Sequence, residues 1–111
     1  MNSQIIKELE NIKQTIINTV ETDSIYLFGS YANGIPSEDS DLDLYVVIPD
    51  DGIRPIEAMR IIGNALYQQQ TKPIDLLVSR VSDFNQRKML PTIERVIARD
   101  GVMLYGQNQH N

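Results

Sequence analysis

The chain has 111 residues, 15 of them acidic and 10 basic, with a formal net charge of −5 and no cysteine. We expect one domain with a single core, over residues 1–111, and no room for a second domain that would hold an acceptor substrate. The negative charge argues against general nucleic-acid binding, which rests on basic residues, and the absence of cysteine excludes disulfides and thiol chemistry.

The spacing of apolar residues predicts an α/β fold. Ser3 to Val20 has apolar residues at helical intervals, which predicts an amphipathic helix over one face of a sheet. We expect strands at about 25–28, 42–48, 74–79 and 102–105, and helices at about 54–69, 83–89 and 91–99. This order gives a mixed β-sheet with helices packed on one face and the other face uncovered. The chain then divides into an N-terminal helical segment (1–24), a core (25–106) and a polar tail (107–111).

Two predicted strands carry aspartates among apolar residues. Asp41 and Asp43 point to one face because side chains alternate along a strand, and Asp75 likewise lies opposite the apolar face of its own strand. Like charges on one face repel, and a divalent cation would remove that cost. If the two strands are neighbours, the three carboxylates converge, and such oxygen ligands suit Mg²⁺ rather than zinc. The alternative is that these aspartates are solvated strand-edge or capping residues.

A Gly-Ser pair ends the first predicted strand. Gly29 lets the backbone approach a phosphate, and Ser30 can donate its hydroxyl and N–H at a helix start. Ser30 could also be an ordinary N-cap residue. Arg54, Arg60 and Lys72 could reach triphosphate oxygens from the rim of the site, or simply solvate the surface.

These residues together carry a family resemblance. Gly29-Ser30, ten intervening residues, Asp41-Leu42-Asp43 and then Asp75 resemble the signature of the DNA polymerase beta-like nucleotidyltransferase superfamily. The resemblance covers residues 25–106, and the short length is similar to the minimal nucleotidyltransferases, which include antitoxins paired with HEPN-domain toxins. It implies a palm-like core in which Asp41, Asp43 and Asp75 are catalytic and hold two Mg²⁺ ions, while Gly29 and Ser30 bind the nucleotide.

The same resemblance implies the reaction. An enzyme of this class transfers a nucleoside monophosphate, here AMP from ATP, to a hydroxyl and releases pyrophosphate. The implied acceptor is a tyrosine of a HEPN toxin, which would make the chain an antitoxin and a protein adenylyltransferase. Two alternatives stay open. The chain could mask its partner by contact without transferring a nucleotide, or serve a small-molecule or RNA acceptor whose binding site comes from a partner chain or a homodimer.

The distribution of charge also suggests a partner. Six acidic residues and no basic one lie between Glu38 and Asp51, whereas Arg80 to Arg99 holds five basic residues and two acidic ones. The basic stretch could meet phosphates or an acidic partner surface, with Leu90, Ile93 and Ile97 packed inward, or it could be a solvated helix face. The longest apolar run has five residues and the N-terminus does not resemble a signal peptide, so we expect a cytoplasmic protein with no membrane segment.

Overall fold

A four-stranded mixed sheet forms the centre of the fold in the computed structural model, which describes residues 3–34, 36, 40–69 and 72–106. Along the chain the elements are α1 (Ser3–Thr19), β1 (Ser24–Phe28), α2 (Ser30–Asn33), β2 (Leu42–Ile48), α3 (Pro55–Tyr67), β3 (Ile74–Arg80), α4 (Val81–Arg87), α5 (Ile93–Asp100) and β4 (Val102–Gly106). The strand order across the sheet is β3-β2-β1-β4, with β2 and β3 parallel and the other neighbours antiparallel. The elements begin and end within two residues of the predicted positions. Glu38, Asp39 and the predicted polar tail lie outside the described residues.

Helices α1 and α3 cover one face of the sheet. Each helix buries one apolar stripe, and β2 contributes every second residue to the same core: Ile5, Leu9, Ile12 and Ile16 of α1, Ala58, Ile62 and Leu66 of α3, and Leu42, Leu44, Val46 and Ile48 of β2. Because strand side chains alternate between faces, this packing directs residues 43, 45 and 47 to the other face. The mixed sheet and this helical layer were predicted from the sequence.

The second face is partly covered, whereas the sequence analysis expected it to be open. Phe84 of α4 and Ile97 of α5 pack against Tyr45 and Val47 of β2. The ring of Tyr26 on β1 stacks on Phe84, with 5.5 Å between the ring centroids. This second, smaller core leaves the start of β2 and β3 accessible, since Asp43 is only partly buried and Asp75 is exposed.

The prediction that Leu90 and Ile93 pack inward is wrong, since they are 50% and 44% exposed. The side chain of Thr92 caps α5 by accepting a hydrogen bond from the backbone N–H of Arg95, so the helix begins at Ile93. Its buried positions are Glu94 and Ile97, one helical turn apart, and this turns Ile93 towards solvent. Ile97 is buried, as predicted. No helix in the described ranges is long and apolar enough to span a membrane.

The core of α1 yields a stability prediction. Ile12 is 1% exposed and Ile6 is 56% exposed on the same helix. We expect Ile12→Ala to lower the free energy of unfolding by about 2–5 kcal/mol, because it leaves a cavity between α1 and the sheet. Ile6→Ala is the matched control and should change it by less than about 0.5 kcal/mol. Urea denaturation measures both, and equal losses would contradict the packing of α1.

Candidate active site

The sheet places Asp43 and Asp75 side by side on one face. They occupy paired positions on the parallel strands β2 and β3, and the pairing is extended by a hydrogen bond from the backbone N–H of Leu42 to the carbonyl of Pro73 at 3.0 Å. Paired residues on neighbouring strands about 4.8 Å apart point to the same face. Asp41 comes just before β2, two residues from Asp43. Strands β2 and β3 are therefore neighbours, which is the condition under which the sequence predicts that the three carboxylates converge.

The electrostatics of Asp43 reflect this crowding. Burial raises the pKa of its carboxyl group above the ordinary value of 3.8, and the charge of Asp75, a hydrogen bond between the two carboxyl groups and the charge of Asp41 raise it further. Each cause disfavours the ionised form of Asp43. A shared proton or a cation between the carboxylates would relieve the repulsion.

The donor set fits a hard divalent cation. Asp41, Asp43 and Asp75 offer only carboxylate oxygens, and the sole histidine of the sequence, His110, belongs to the tail. Among the described residues, no three acidic, histidine or cysteine side chains lie together as a group that could hold a metal ion. Two of the aspartates, Asp43 and Asp75, are paired, and carboxylate ligands suit Mg²⁺, which retains water and takes substrate phosphate oxygens as further ligands. These three residues are therefore the candidates for holding a metal.

Gly29 lies against the Asp43 carboxylate. Its backbone has φ 76° and ψ −152°, a conformation that is essentially restricted to glycine. A Cβ atom at this position would overlap Oδ2 of Asp43 and lie 3.0 Å from its Cγ. The sequence indicated that Gly29 keeps space for a phosphate, but in the structure its nearest neighbour is the candidate metal ligand. The glycine therefore allows the β1–α2 turn to approach the aspartates.

Ser30 begins α2 and is not its N-cap, because Gly29 occupies the capping position. Ser30 therefore does not have the N-cap role that the sequence left open for it. Ser30 directly follows Gly29, so its backbone belongs to the turn that approaches Asp43. Gly34 ends α2 in the left-handed conformation, as a C-terminal glycine often does.

The three basic residues expected at the rim of the site, Arg54, Arg60 and Lys72, lie at different positions in the structure. Lys72 precedes β3 at the end of the strand that carries Asp75, and its Nζ lies 5.8 Å from the ring centroid of Tyr31 on α2. Arg54 follows the far end of β2 and precedes α3, while Arg60 forms an ion pair with Glu57 on the exposed surface of α3. Of the three, Lys72 is the one placed at the aspartate end of the sheet.

Further along β2, on the same face as Asp43, lies a buried polar cluster that was not predicted from the sequence. The Tyr45 hydroxyl donates a hydrogen bond to Oε2 of Glu94 at 2.8 Å and lies 2.9 Å from Oγ of Ser79. Nε of Arg87 is 3.1 Å from Oε1 of Glu94. Burial raises the pKa of Tyr45 to about 12. Burial also acts to raise the pKa of Glu94, but hydrogen bonds led by that from Tyr45 outweigh it and hold the pKa below its ordinary value.

This cluster joins the strands of the site to the helices on the same face. Tyr45 follows Asp43 by two residues on β2, and Ser79 lies on β3 with Asp75, while Arg87 and Glu94 come from α4 and α5. A single glutamate in a charged helix gives no sequence signal of burial, because glutamate is mostly exposed. A tyrosine on the inner face of a strand, which needs a partner for its hydroxyl, is the signal that could have indicated it.

The family of the chain follows from comparison with known proteins. Residues 10–110 match the family described as polymerase beta, nucleotidyltransferase. The match extends over most of the chain, so the chain belongs to this family. A comparison with curated protein sequences finds no significant match.

Solved structures share the fold. A chain of a mutant of the toxin–antitoxin pair MntA–HpeT is 22% identical with a TM-score of 0.64, over 91% of this chain and 75% of that one. A putative nucleotidyltransferase from Sulfolobus solfataricus is 17% identical with a TM-score of 0.60, over 94% and 85%. A toxin–antitoxin structure with AMP-PNP is 24% identical with a TM-score of 0.57, over 91% and 75%. At these identities the similarity establishes the fold.

The two glycines that flank α2 provide a matched test of the turn. Gly29 and Gly34 both have positive φ, but a Cβ at Gly34 would meet no atom within 4 Å. We expect Gly34→Ala to cost about 1 kcal/mol of stability from backbone strain alone. Gly29→Ala should cost more and should also displace the Asp43 carboxylate, so that stabilisation by Mg²⁺ is lost. Thermal melts with and without Mg²⁺ measure this. Equal behaviour of the two variants would contradict the contact between Gly29 and Asp43.

The raised pKa of Asp43 predicts the pH dependence of stability. Between its ordinary value of 3.8 and the raised value, the metal-free folded chain binds more protons than the unfolded chain. The free energy of unfolding therefore falls as pH rises through that window, and this loss of stability persists at neutral pH. Asp43→Asn should accordingly be more stable than the wild type at pH 7 without metal, with an advantage that shrinks towards pH 3.8.

Addition of Mg²⁺ should reverse this order. The wild type gains stability because the cation binds the folded state, whereas Asp43→Asn lacks a ligand and gains less. Asp51→Asn, which removes an exposed carboxylate after the far end of β2, is the control and should respond to Mg²⁺ as the wild type does. The assignment would be contradicted by an Asp43→Asn protein that gains as much from Mg²⁺ as the wild type.

Proposed function

We propose that the chain is a Mg²⁺-dependent enzyme that transfers AMP from ATP to a hydroxyl of a partner protein and thereby acts as an antitoxin. The observation that carries the proposal is the pairing of Asp43 with Asp75 beside Gly29, with the charge of Asp41 acting on Asp43. Family membership supports nucleotidyl transfer in general. The use of ATP, of two Mg²⁺ ions and of a protein acceptor is what we propose beyond family membership.

In this proposal Asp41 and Asp43 would hold two Mg²⁺ ions, and Asp75 would hold one of them. Bound Mg²⁺ supplies charge neutralisation at the phosphates and a lower pKa for the attacking hydroxyl. Ser30 and the backbone of the β1–α2 turn position the triphosphate, and Lys72 adds a positive charge from the β3 side. Few side chains are needed, because nucleotidyl transfer depends mainly on positioning and electrostatics.

The proposed reaction balances as follows. The acceptor oxygen forms a bond to the α-phosphorus of ATP while the bond between the α-phosphorus and the bridging oxygen breaks, and pyrophosphate leaves. The hydroxyl proton passes to Asp75, whose side chain is exposed and can be reached from solvent or by an acceptor. The product is the acceptor as its AMP ester.

The partner belongs to the proposal for two reasons. Two similar structures are described as toxin–antitoxin structures, and one of these contains AMP-PNP. In addition, the side chain of Asp75 is exposed, so a partner molecule can reach the aspartate end of the sheet. We therefore propose a HEPN-type toxin as the partner and one of its tyrosines as the acceptor, in line with the minimal nucleotidyltransferases that the sequence resembles.

One alternative has a specific observation in its favour. Met89, Leu90, Ile93 and Val96 form an exposed apolar surface on and before α5, which could bind and mask a partner without any transfer. The set of three aspartates favours the enzyme, because contact masking gives no reason to maintain like charges at paired strand positions.

Mass spectrometry tests the proposal. The chain is expressed together with the product of the neighbouring gene, where that gene encodes an all-helical HEPN-type protein, and the purified mixture is incubated with Mg²⁺ and ATP. We expect the intact mass of the partner to increase by one or more AMP units. Asp41→Asn should abolish the increase by removing a metal ligand, whereas the control Asp51→Asn should retain it.

The outcomes separate the candidate functions. A stable complex without a change in mass, seen by size-exclusion chromatography and intact mass, would favour contact masking. Neither binding nor modification would contradict the protein acceptor and direct the search to small molecules or RNA. Modification that persists in Asp41→Asn would contradict the role of the aspartates.

A further inference from the structure

Strands β3 and β4 form the two edges of the sheet, and they differ in length and regularity. β4 has five residues, and its pairing with β1 shifts register between Ile25 and Tyr26. β3 has seven residues, and all seven pair with β2 in one register. Short strands and bulges are devices by which proteins prevent an edge strand from pairing with another chain. β4 carries both devices and β3 carries neither, so β3 is the edge that can accept a further strand.

The outer edge of β3 presents a defined set of backbone groups. In the described part of the chain, no strand pairs with this edge. The carbonyl of Pro73 accepts a hydrogen bond from the backbone N–H of Leu42, so it points towards β2. Because the backbone groups of successive strand residues point to opposite sides, Leu77 also directs its N–H and C=O to β2, whereas Leu76 and Val78 direct theirs outwards. These outward groups are the donors and acceptors that an added strand needs.

The side chains of β3 are self-complementary about Leu77. Leu77 is the central residue of the strand and is 38% exposed, although it is apolar. An antiparallel pair centred on it brings Leu77 of two copies together and sets Asp75 opposite Ser79. The charged residues of the strand, Asp75 and Arg80, lie near its two ends. Antiparallel pairing therefore brings unlike charges close, whereas a parallel pair in register would bring like charges close.

We propose that the chain forms a symmetric dimer in which the β3 strands of two copies pair antiparallel across their outer edges. The two sheets then form one continuous sheet of eight strands, four from each copy. Leu76 of one copy exchanges backbone hydrogen bonds with Val78 of the other. The two Leu77 residues oppose each other on the two-fold axis without backbone hydrogen bonds, which is where opposed side chains lie closest. This dimer does not depend on the reaction proposed above.

The dimer brings both aspartate sites to one face of the joint sheet. Directly opposed residues of antiparallel strands point to the same face, so Ser79 of the second copy lies beside Asp75. The two Asp75 residues are separated by four residues along the strands, or about 14 Å. The second copy thus borders the exposed side of Asp75, and one large partner molecule can meet two sites at once.

Directed cross-linking tests the dimer, because the chain has no cysteine of its own. The Cα atoms of an opposed pair without backbone hydrogen bonds are about 4.5 Å apart, a distance that a disulfide spans. Met103→Cys on β4 is the matched control, since Met103 is 41% exposed. Under mild oxidation Leu77→Cys should form an intermolecular disulfide at least about tenfold faster than Met103→Cys, because pairing holds the thiols at high effective concentration. Non-reducing gels measure both rates.

Sedimentation velocity measures the association of the wild type without metal or nucleotide. The mass should rise with concentration from 12.6 kDa towards twice that value. Leu77→Lys should weaken the association at least about tenfold, because two like charges meet on the axis. Met103→Lys is the control and should associate as the wild type does. Leu77 is exposed in the single chain, so its substitution leaves the core intact.

Amide hydrogen exchange identifies the paired edge in the wild type itself. The N–H groups of Leu76 and Val78 should exchange more slowly as the protein concentration rises, because pairing gives them acceptors. The N–H of Leu77 bonds to β2 in either state and is the internal control, whose exchange should not depend on concentration.

Four results would overturn the inference. The first is a wild type that stays monomeric at millimolar concentration, and the second is equal cross-linking of Leu77→Cys and Met103→Cys. The third is association that Met103→Lys weakens and Leu77→Lys does not, which would assign the interface to β4. The fourth is protection of the Leu76 and Val78 amides only after a different protein is added, which would assign the edge to that protein. A wild-type dimer that transfers no nucleotide would contradict the proposed function alone.

Discussion

Repulsion between two carboxylates at paired positions of parallel strands is the constraint around which this structure is organised. Asp43 and Asp75 lie side by side on β2 and β3, and burial and the neighbouring Asp75 raise the pKa of Asp43. A fold keeps such a pair at the expense of stability in the absence of a cation. The glycine turn, which leaves room for the Asp43 carboxylate, and the open strand ends both serve to keep the charged groups accessible. Site geometry and stability are thus set by the same contacts.

Much of this arrangement could be predicted because strand periodicity reports directly on side-chain direction. The alternation in β2 assigned Asp43 to the face opposite the apolar core, and the single aspartate of β3 was assigned in the same way. The pairing of Asp43 with Asp75 depends on the strand order, which periodicity does not determine. The contact between Gly29 and Asp43 could not be predicted from the sequence either, because it depends on the backbone conformation of the turn after β1, which brings Gly29 against a residue of β2.

The layer formed by α4 and α5 shows where pattern reading fails. The apolar residues Leu90 and Ile93 were expected to face the core, but a polar contact decides the orientation of α5. Glu94 accepts a hydrogen bond from Tyr45, and this orientation of α5 turns Ile93 outwards. The glutamate is therefore buried and the isoleucine exposed, the reverse of what hydrophobicity predicts. A buried polar cluster of this kind tends to specify one orientation among several. Its consequence is an exposed apolar surface on α5 and a small second core on the face that carries Asp43.

The central claim is that Asp41, Asp43 and Asp75 together form a metal site at the β1–α2 turn. A crystal structure of the chain with Mn²⁺ and a non-hydrolysable ATP analogue tests it most directly, because the anomalous signal locates the metal independently of the protein density. The account predicts anomalous peaks bound by these three carboxylates, with phosphate oxygens at the same metal and the triphosphate beside Ser30. Metal bound elsewhere, or Asp43 and Asp75 still hydrogen-bonded to each other with the nucleotide in place, would contradict it.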